Sequence, residues 1–253
     1  MNQHSDAPIV VYGGNGFVGS VICEQLASQG IPCISVSRRG VVPAHLDRSQ
    51  NPWLANVRWL QGDALSPDTA ILHGARAIIN LVGSPPLPTF TQSAFDHQLM
   101  MNGTSQTSVI DAAKEAGVNR LVLMGADIPS LLQTESFAYY VGKTESLMAA
   151  KAFAASSHLR QAAVLQPAGI YGTRHTASGM ALPLSWFMSP ISGLQRCLPQ
   201  SVQSRLPAAF VDVKKVAAAA VEWATTAQGF EVSETGFMRV TNEQLLQESP
   251  TIS

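Results

Sequence analysis

Tyr139 and Lys143 stand four residues apart in the run Phe137-Ala138-Tyr139-Tyr140-Val141-Gly142-Lys143. On a helix that spacing puts both side chains on one face. A tyrosine near pKa 10 exchanges protons poorly at neutral pH. An adjacent ammonium, with a positively charged nicotinamide ring beside it, lowers that pKa and stabilises the phenolate. The pair can then pass a proton to or from a substrate oxygen while hydride moves on a nicotinamide, with Lys143 also holding the nicotinamide ribose. Taken alone, the same spacing describes an ordinary pair on a surface helix. Tyr140 competes for the role, but it lies only three residues from Lys143 and reads as a packing residue.

A glycine-rich segment gives the pair its context. Residues 9–20 read Ile-Val-Val-Tyr-Gly-Gly-Asn-Gly-Phe-Val-Gly-Ser, a short apolar run that ends in glycines and passes at once into a helical pattern. The leading N–H groups of such a helix, with the positive end of its dipole, attract a phosphate. Gly13 and Gly14 suit a tight turn, Gly16 lets a pyrophosphate approach the backbone, and Gly19 lets the helix pack close to its strand. The segment predicts a dinucleotide site formed by Gly13, Gly14, Asn15, Gly16, Phe17, Val18 and Gly19; the blander alternative is a plain βα turn.

Which dinucleotide is a matter of charge. An NAD-selective protein places Asp or Glu at the end of the second strand, against the ribose 2′-hydroxyl. Here that strand ends Ser35-Val36-Ser37-Arg38-Arg39-Gly40. A guanidinium can fork onto a 2′-phosphate and stack on adenine, so NADP(H) is expected, with Arg38 as main contact and Ser37 and Arg39 beside it. The alternative is a solvated basic turn. Asp63, after the third strand, can bond the adenine amino group or merely cap the segment that follows. Gly83, after the fourth strand, lets the backbone pass under the cofactor or is a loop glycine.

These residues need a frame, and the chain supplies one. Strand and helix patterns alternate from residue 9, which predicts an α/β fold with a doubly wound, Rossmann-type parallel sheet. Strands are expected at Val10–Tyr12, Cys33–Ser37, Val57–Leu60, Ala77–Val82, Arg120–Met124 and Gln161–Leu165. Helices are expected at Val18–Ser28, Phe95–Ala116 and Phe137–Ala155. Residues 1–166 read as the nucleotide-binding domain. Residues 167–253 read as a small C-terminal lobe that does not fold alone, with an extended piece at Phe210–Val213, a helix at Lys214–Ala224, a late strand at Phe237–Thr241 and a short helix at Asn242–Gln247.

With 253 residues, 46% of them hydrophobic and only 13% charged, the chain suits a sheet buried on both faces. A net charge of −1 gives no reason to expect nucleic acid or anionic lipid as a partner. Cys23, Cys33 and Cys197 show no metal spacing and His175 stands alone, so no metal site is expected and a reduced, cytoplasmic setting is the simple reading. The first eight residues lack the basic start and apolar core of a signal peptide. No uncharged apolar run reaches the roughly 18 residues of a membrane span.

The chain resembles the short-chain dehydrogenase/reductase superfamily, in its extended or atypical, epimerase/dehydratase-like branch. Gly13-Gly14-Asn15-Gly16-Phe17-Val18-Gly19 is similar to the extended-type glycine motif, and Tyr139 with Lys143 to the family's YxxxK. Gln166-Pro167-Ala168-Gly169-Ile170-Tyr171-Gly172 is similar to its RPGxxYG turn, and Phe210-Val211-Asp212-Val213-Lys214-Lys215-Val216-Ala217 to FVDVxDVA. The resemblance adds Pro167 to the cofactor contacts and implies that Asn102 marks a bent helix with a bound water. Within the branch, Gly13–Gly19 and Ser35–Arg38 look most like the subgroup that holds the NADPH-binding accessory subunit of respiratory complex I and a fungal protein of the coenzyme Q complex. The chain departs from the superfamily after the fifth strand, where a Ser or Thr usually polarises the substrate carbonyl. The run here is Leu123-Met124-Gly125-Ala126-Asp127, Ser130 comes late, and Gln166 replaces the usual Arg.

Three functions follow from these residues. The first is an NADP(H)-dependent oxidoreductase acting on a small, apolar carbonyl or quinone-like substrate. The second is a non-catalytic NADPH-holding structural, assembly or redox-sensing protein, which the missing hydroxyl favours. The third is a sugar-nucleotide epimerase or dehydratase, which the short apolar C-terminal lobe disfavours. The Leu182–Leu194 stretch, with Trp186, Phe187 and Met188, is expected as lobe core, with an apolar pocket wall or a peripheral membrane contact as alternatives. A homo-oligomer through the two long helices is a further expectation drawn from the resemblance.

Overall fold

The computed structural model describes residues 7–175, 181–183, 209–225 and 235–247. Seven strands form one sheet in the order β11-β6-β5-β4-β1-β2-β3, and every pairing in it is parallel. These strands are β1 (Ile9–Tyr12), β2 (Cys33–Ser37), β3 (Val57–Gln61), β4 (Ala77–Asn80), β5 (Arg120–Met124), β6 (Gln161–Leu165) and β11 (Phe237–Val240). Successive residues of β1 point to opposite faces, and both faces are covered. Ile9 and Val11 pack with Ile22 and Leu26 of α1 (Phe17–Ser28) and with Val216, Ala220 and Trp223 of α6 (Val213–Thr225). Val10 and Tyr12 pack on the other side with Val109 and Ile110 of α4 (Ser105–Glu115) and Ala150 and Phe153 of α5 (Ala138–Ala155).

The chain winds outward from β1 to β2 and β3, then returns to β4 on the other side of β1 before continuing to β5 and β6. That reversal opens a crevice beyond the carboxyl ends of β1 and β4, the place where ligands bind in such sheets. A short helix, α2 (Thr69–Leu72), precedes β4, and its N-cap is Asp68, which accepts from the Ala70 N–H at 2.9 Å. Beside the main sheet, β7 (Ile170–Tyr171) pairs in parallel with β10 (Val211–Asp212), and β8 (Thr173–His175) pairs antiparallel with β9 (Ala181–Pro183).

Two features differ from the sequence reading. The expected single helix Phe95–Ala116 is α3 (Gln92–Leu99), a π-helical turn at Met100–Thr104, and α4. In that turn Gly103 meets Gly142 of α5 so closely that a β-carbon on Gly142 would lie 2.9 Å from the Gly103 nitrogen. The expected boundary at residue 166 is also not a boundary of the sheet. The late strand β11 pairs with β6 from Phe237↔Ala162 to Val240↔Leu165, and α6 packs against α1. Residues 184–208, which hold most of the Leu182–Leu194 stretch and Cys197, lie outside the described residues.

Candidate functional site

The glycine turn is built from the strand outward. Gly13 takes a left-handed φ of +81°, and its N–H donates to the Val36 carbonyl at 2.8 Å. The Gly16 N–H donates back to the Gly13 carbonyl at 2.9 Å, and Gly16 is the N-cap of α1 without a side-chain cap. The leading N–H groups of α1 are therefore left for another acceptor. Gly14 and Gly19 serve packing. A β-carbon on Gly19 would overlap the Gly13 carbonyl, and one on Gly14 would overlap Ser35 and reach Cys23 Sγ at 3.0 Å. Val18 packs its side chain into the core and offers only its backbone.

A cavity of about 510 Å³ opens at this turn, lined by Asn15, Gly16 and Phe17 on one side and by Arg38, Arg39 and Trp53 on the other. Both arginines are exposed, and among the described residues neither forms an ion pair. Ser37 does not reach into this cavity: it is buried, and its hydroxyl accepts from the Gly40 N–H at 3.2 Å. Asp63 closes its own turn, accepting from the Leu65 N–H at 3.0 Å, and lines neither this cavity nor the next.

The second cavity, about 480 Å³, adjoins the first through Phe17 and is mostly apolar. Tyr139 lines it together with Pro85, Ala126, Leu132, Pro167 and Phe210, and Asp127 is its other titratable group among the described residues. Tyr140 lines neither cavity. Lys143, on the same face of α5 as Tyr139, is buried and donates from Nζ to the Met124 carbonyl at 2.7 Å. Its Nζ lies 5.6 Å from the Tyr139 ring centre. Burial pushes the Tyr139 hydroxyl up to about 12 and the Lys143 ammonium down to about 8. The expected lowering of the tyrosine by its neighbour is thus outweighed by loss of solvent in the free protein. Gly83 lies where this lysine meets the π-helical turn: a β-carbon there would be 2.8 Å from Asn102 Oδ1 and 3.5 Å from Lys143 Nζ.

After β5, a β-carbon on Gly125 would sit 2.7 Å from Val164 Cγ1, so a side chain there would require Val164 to move, while Ala126 lines the cavity without a hydroxyl. Ser130 is exposed in a short 3-10 turn and lies outside the cavity, and no Ser or Thr is among the described lining residues. Gln166 accepts from the Arg239 guanidinium of β11, which turns it away from the cavity. A further cavity of about 520 Å³ lies at the opposite, amino-terminal edge of the sheet. Its two arginines bond the ends of structural elements, Arg76 the Thr225 carbonyl at 3.2 Å and Arg120 the Gln161 side chain at 3.1 Å.

Beside Asn102, which the resemblance singles out, the sequence reading missed its neighbours Gln98 and Gln106 and, separately, Asn242. Gln98, Asn102 and Gln106 are buried amides one helical turn apart that hold the loop after β4. Gln98 donates to the Pro85 and Leu87 carbonyls at 2.9 and 3.0 Å, Asn102 to Ser84 Oγ at 2.8 Å, and Gln106 to the Val82 carbonyl. Their four-residue spacing on an otherwise apolar face was the available signal. Asn242, in α7 (Asn242–Leu246), accepts from the Ala168 N–H at 2.8 Å and donates to the Ala209 carbonyl at 2.9 Å, which ties the Pro167 turn to the segment carrying Phe210. Its helix is set by a capping box of Thr241 and Gln244, a pattern readable in the sequence.

A parallel sheet of this order, with an uncapped glycine turn at its point of reversal, defines a Rossmann-type α/β protein. The chain belongs to the NAD dependent epimerase/dehydratase family, whose model matches residues 9–191. It is 32% identical over 191 residues to a chloroplastic protein of Arabidopsis thaliana; that match covers 72% of the chain and 57% of the plant protein. The chain therefore spans little more than half the length of this relative. Two solved structures share the fold. One is MoeE5 in complex with UDP-glucuronic acid and NAD, with TM-score 0.65, 22% identity, and coverage of 93% of this chain and 76% of that one. The other is an oxidoreductase of the short chain dehydrogenase/reductase family from Burkholderia thailandensis, with TM-score 0.63, 16% identity, and coverage of 96% and 94%. No helix among the described residues is long and apolar enough to cross a membrane.

Proposed function

We propose that the protein is an NADP(H)-dependent oxidoreductase that acts on an apolar carbonyl or quinone-like compound. The observation that carries this reading is Tyr139 on the wall of an apolar cavity that adjoins the glycine turn, with the Lys143 ammonium held 5.6 Å from its ring centre on the Met124 carbonyl. The pyrophosphate is assigned to the leading N–H groups of α1, the 2′-phosphate to Arg38 with Arg39 beside it, and the nicotinamide ribose to Lys143 next to Gly83. A dinucleotide suits a chain of the NAD dependent epimerase/dehydratase family, and the fold neighbour MoeE5 is in complex with NAD; the preference for a 2′-phosphate rests on the two arginines alone.

When bound, the nicotinamide supplies the hydride. Tyr139 supplies the proton to the substrate oxygen, and its raised pKa means that it carries that proton throughout the neutral range, as a reduction requires. The Met124 carbonyl fixes the Lys143 ammonium where it can hold the ribose and steady the phenolate that the transfer leaves behind. Exposed Leu87 and Leu131, near the Pro85 and Leu132 walls, extend the apolar surface around the cavity and support an apolar substrate.

The absence of a Ser or Thr hydroxyl from the described cavity wall favours a second reading, in which NADPH is held without turnover. A sugar-nucleotide substrate fits less well, because only Asp127 and Tyr139 offer polar side chains on that wall. The test is NADPH oxidation, followed at the nicotinamide absorbance, against benzaldehyde, decanal and 2-methyl-1,4-naphthoquinone, with Tyr139→Phe as control. Turnover that vanishes in the variant is the expected result. Tight NADPH binding without turnover on any of the three replaces this reading with the second one.

A further inference from the structure

The wall that lacks a hydroxyl carries a main-chain donor. Beyond β5 the ladder toward β6 continues, with the Gly125 N–H donating to the Leu165 carbonyl at 2.8 Å and the Asp127 N–H to the Pro167 carbonyl at 3.0 Å. In an extended strand alternate N–H groups face opposite ways. The Ala126 N–H between those two therefore faces away from β6, on the side where the Met124 carbonyl receives the Lys143 ammonium. Among the described residues nothing accepts from the Ala126 N–H. Ala126 lines the apolar cavity with Tyr139. Ala126 is half-buried, so its N–H is open to an acceptor that enters the cavity, and a ligand oxygen placed there gains a hydrogen bond.

We propose that the backbone N–H of Ala126 holds the carbonyl oxygen of the substrate, in the place of a side-chain hydroxyl. The inference rests on the oxidoreductase reading. As carbonyl reduction proceeds, a C–H bond forms at the carbonyl carbon with the hydride of reduced nicotinamide, the C=O π bond breaks, and its electrons move to the oxygen. The oxygen takes the Tyr139 hydroxyl proton, and the Tyr139 phenolate regains a proton from solvent. The substrate is reduced and the nicotinamide oxidised by two electrons. The Ala126 N–H is not transferred; it donates to the oxygen while negative charge grows there, which is where a fixed donor accelerates the step. No Ser or Thr lines this wall among the described residues, so a main-chain group is the donor it offers beside Tyr139.

The experiment replaces Ala126 with lactic acid in the full chain by nonsense suppression, exchanging that one N–H for an ester oxygen and keeping the methyl group. With NADPH and benzaldehyde, kcat is expected to fall on the order of a hundredfold and NADPH affinity to stay unchanged. A second readout needs no turnover: the carbonyl stretch of acetophenone bound with NADP+ sits below its free value in the parent and moves back up in the ester variant. Ala126→Ser covers the case of an ester variant that misfolds; its added hydroxyl raises kcat and lowers the carbonyl stretch further. Parental kcat and an unmoved carbonyl band in the ester variant overturn the inference alone, as does Ala126→Ser without either gain. A parent that turns over no carbonyl substrate overturns the oxidoreductase reading and this inference with it.

Discussion

The ammonium of Lys143 on α5 donates to the main-chain carbonyl of Met124 on β5 at 2.7 Å, in a position closed to solvent. Burial brings its pKa from 10.5 down to about 8. Below pH 8 both the folded and the unfolded chain hold this proton, and folding bears the whole cost of burying the charge. Between pH 8 and 10.5 the unfolded chain binds a proton that the native state has released, so this group makes stability rise with pH across that window. Lys143→Met removes the buried charge and leaves the Met124 carbonyl unpaired. We expect it to gain on the order of 1–3 kcal/mol at pH 7 and to flatten the rise between pH 8 and 10, as measured by urea unfolding. It should also lose NADPH affinity at least tenfold.

The chemistry of the pair has its own pH signature. With Tyr139 at about 12, its hydroxyl stays protonated through neutral pH, whereas Lys143 loses its charge near 8. For carbonyl reduction, kcat/KM of the free protein should be flat from pH 6 to 7.5 and decline above about pH 8. Tyr139→Phe should lower kcat at least a hundredfold with NADPH binding intact. A profile that rises through pH 8 would assign the proton to another group.

The glycine turn separates packing from ligand contact. Gly19→Ala drives a methyl into the Gly13 carbonyl and within 2.7 Å of Gly14 Cα. It should cost several kcal/mol of stability, about 3 or more, and abolish coenzyme binding with it. At Gly16 a β-carbon meets only the Gly13 carbonyl, at 3.1 Å. Gly16→Ala should therefore keep the melting temperature within a few degrees while weakening NADPH binding tenfold or more. Comparing melting curves with nicotinamide fluorescence titrations of the two variants checks both halves.

How far the sequence reached is visible in these same residues. Cys33–Ser37, Arg120–Met124 and Gln161–Leu165 fold with the bounds that their apolar runs predict, because a strand buried on both faces leaves no doubt about its period. A bend at Asn102 was implied by the resemblance alone; the π-helical turn Met100–Thr104 holds that residue beside the close approach of Gly103 and Gly142, and local periodicity carries no trace of it. Candidate contacts divided similarly. Asn15, Gly16, Phe17, Arg38, Arg39, Tyr139 and Pro167 line the two adjoining cavities. Ser37 and Asp63 instead satisfy the turns they start, since a short polar side chain finds its own backbone N–H groups first. Gln98 and Gln106, which flank Asn102 in one amide column, stayed hidden because their partners are carbonyls of an irregular loop, which no side-chain pattern announces.

Coenzyme choice turns on a contrast within one turn. Arg38 and Arg39 follow β2 directly, and the cavity they line also holds the Glu24 carboxylate. A 2′-phosphate needs a guanidinium to offset both its own desolvation and that nearby negative charge, whereas a 2′-hydroxyl does not. Arg38→Ala should thus weaken NADPH binding by roughly ten- to hundredfold, the worth of one charge-assisted contact, and leave NADH binding within about threefold. Raising salt from 50 to 500 mM should narrow the NADPH preference of the parent but not of the variant, because an exposed pair is screened. Glu24→Gln should shift the preference further toward NADPH. Titration of all three proteins with both coenzymes decides the matter: if Arg38→Ala weakens NADH and NADPH equally, the arginine is a general contact of the adenosine end and the specificity lies elsewhere.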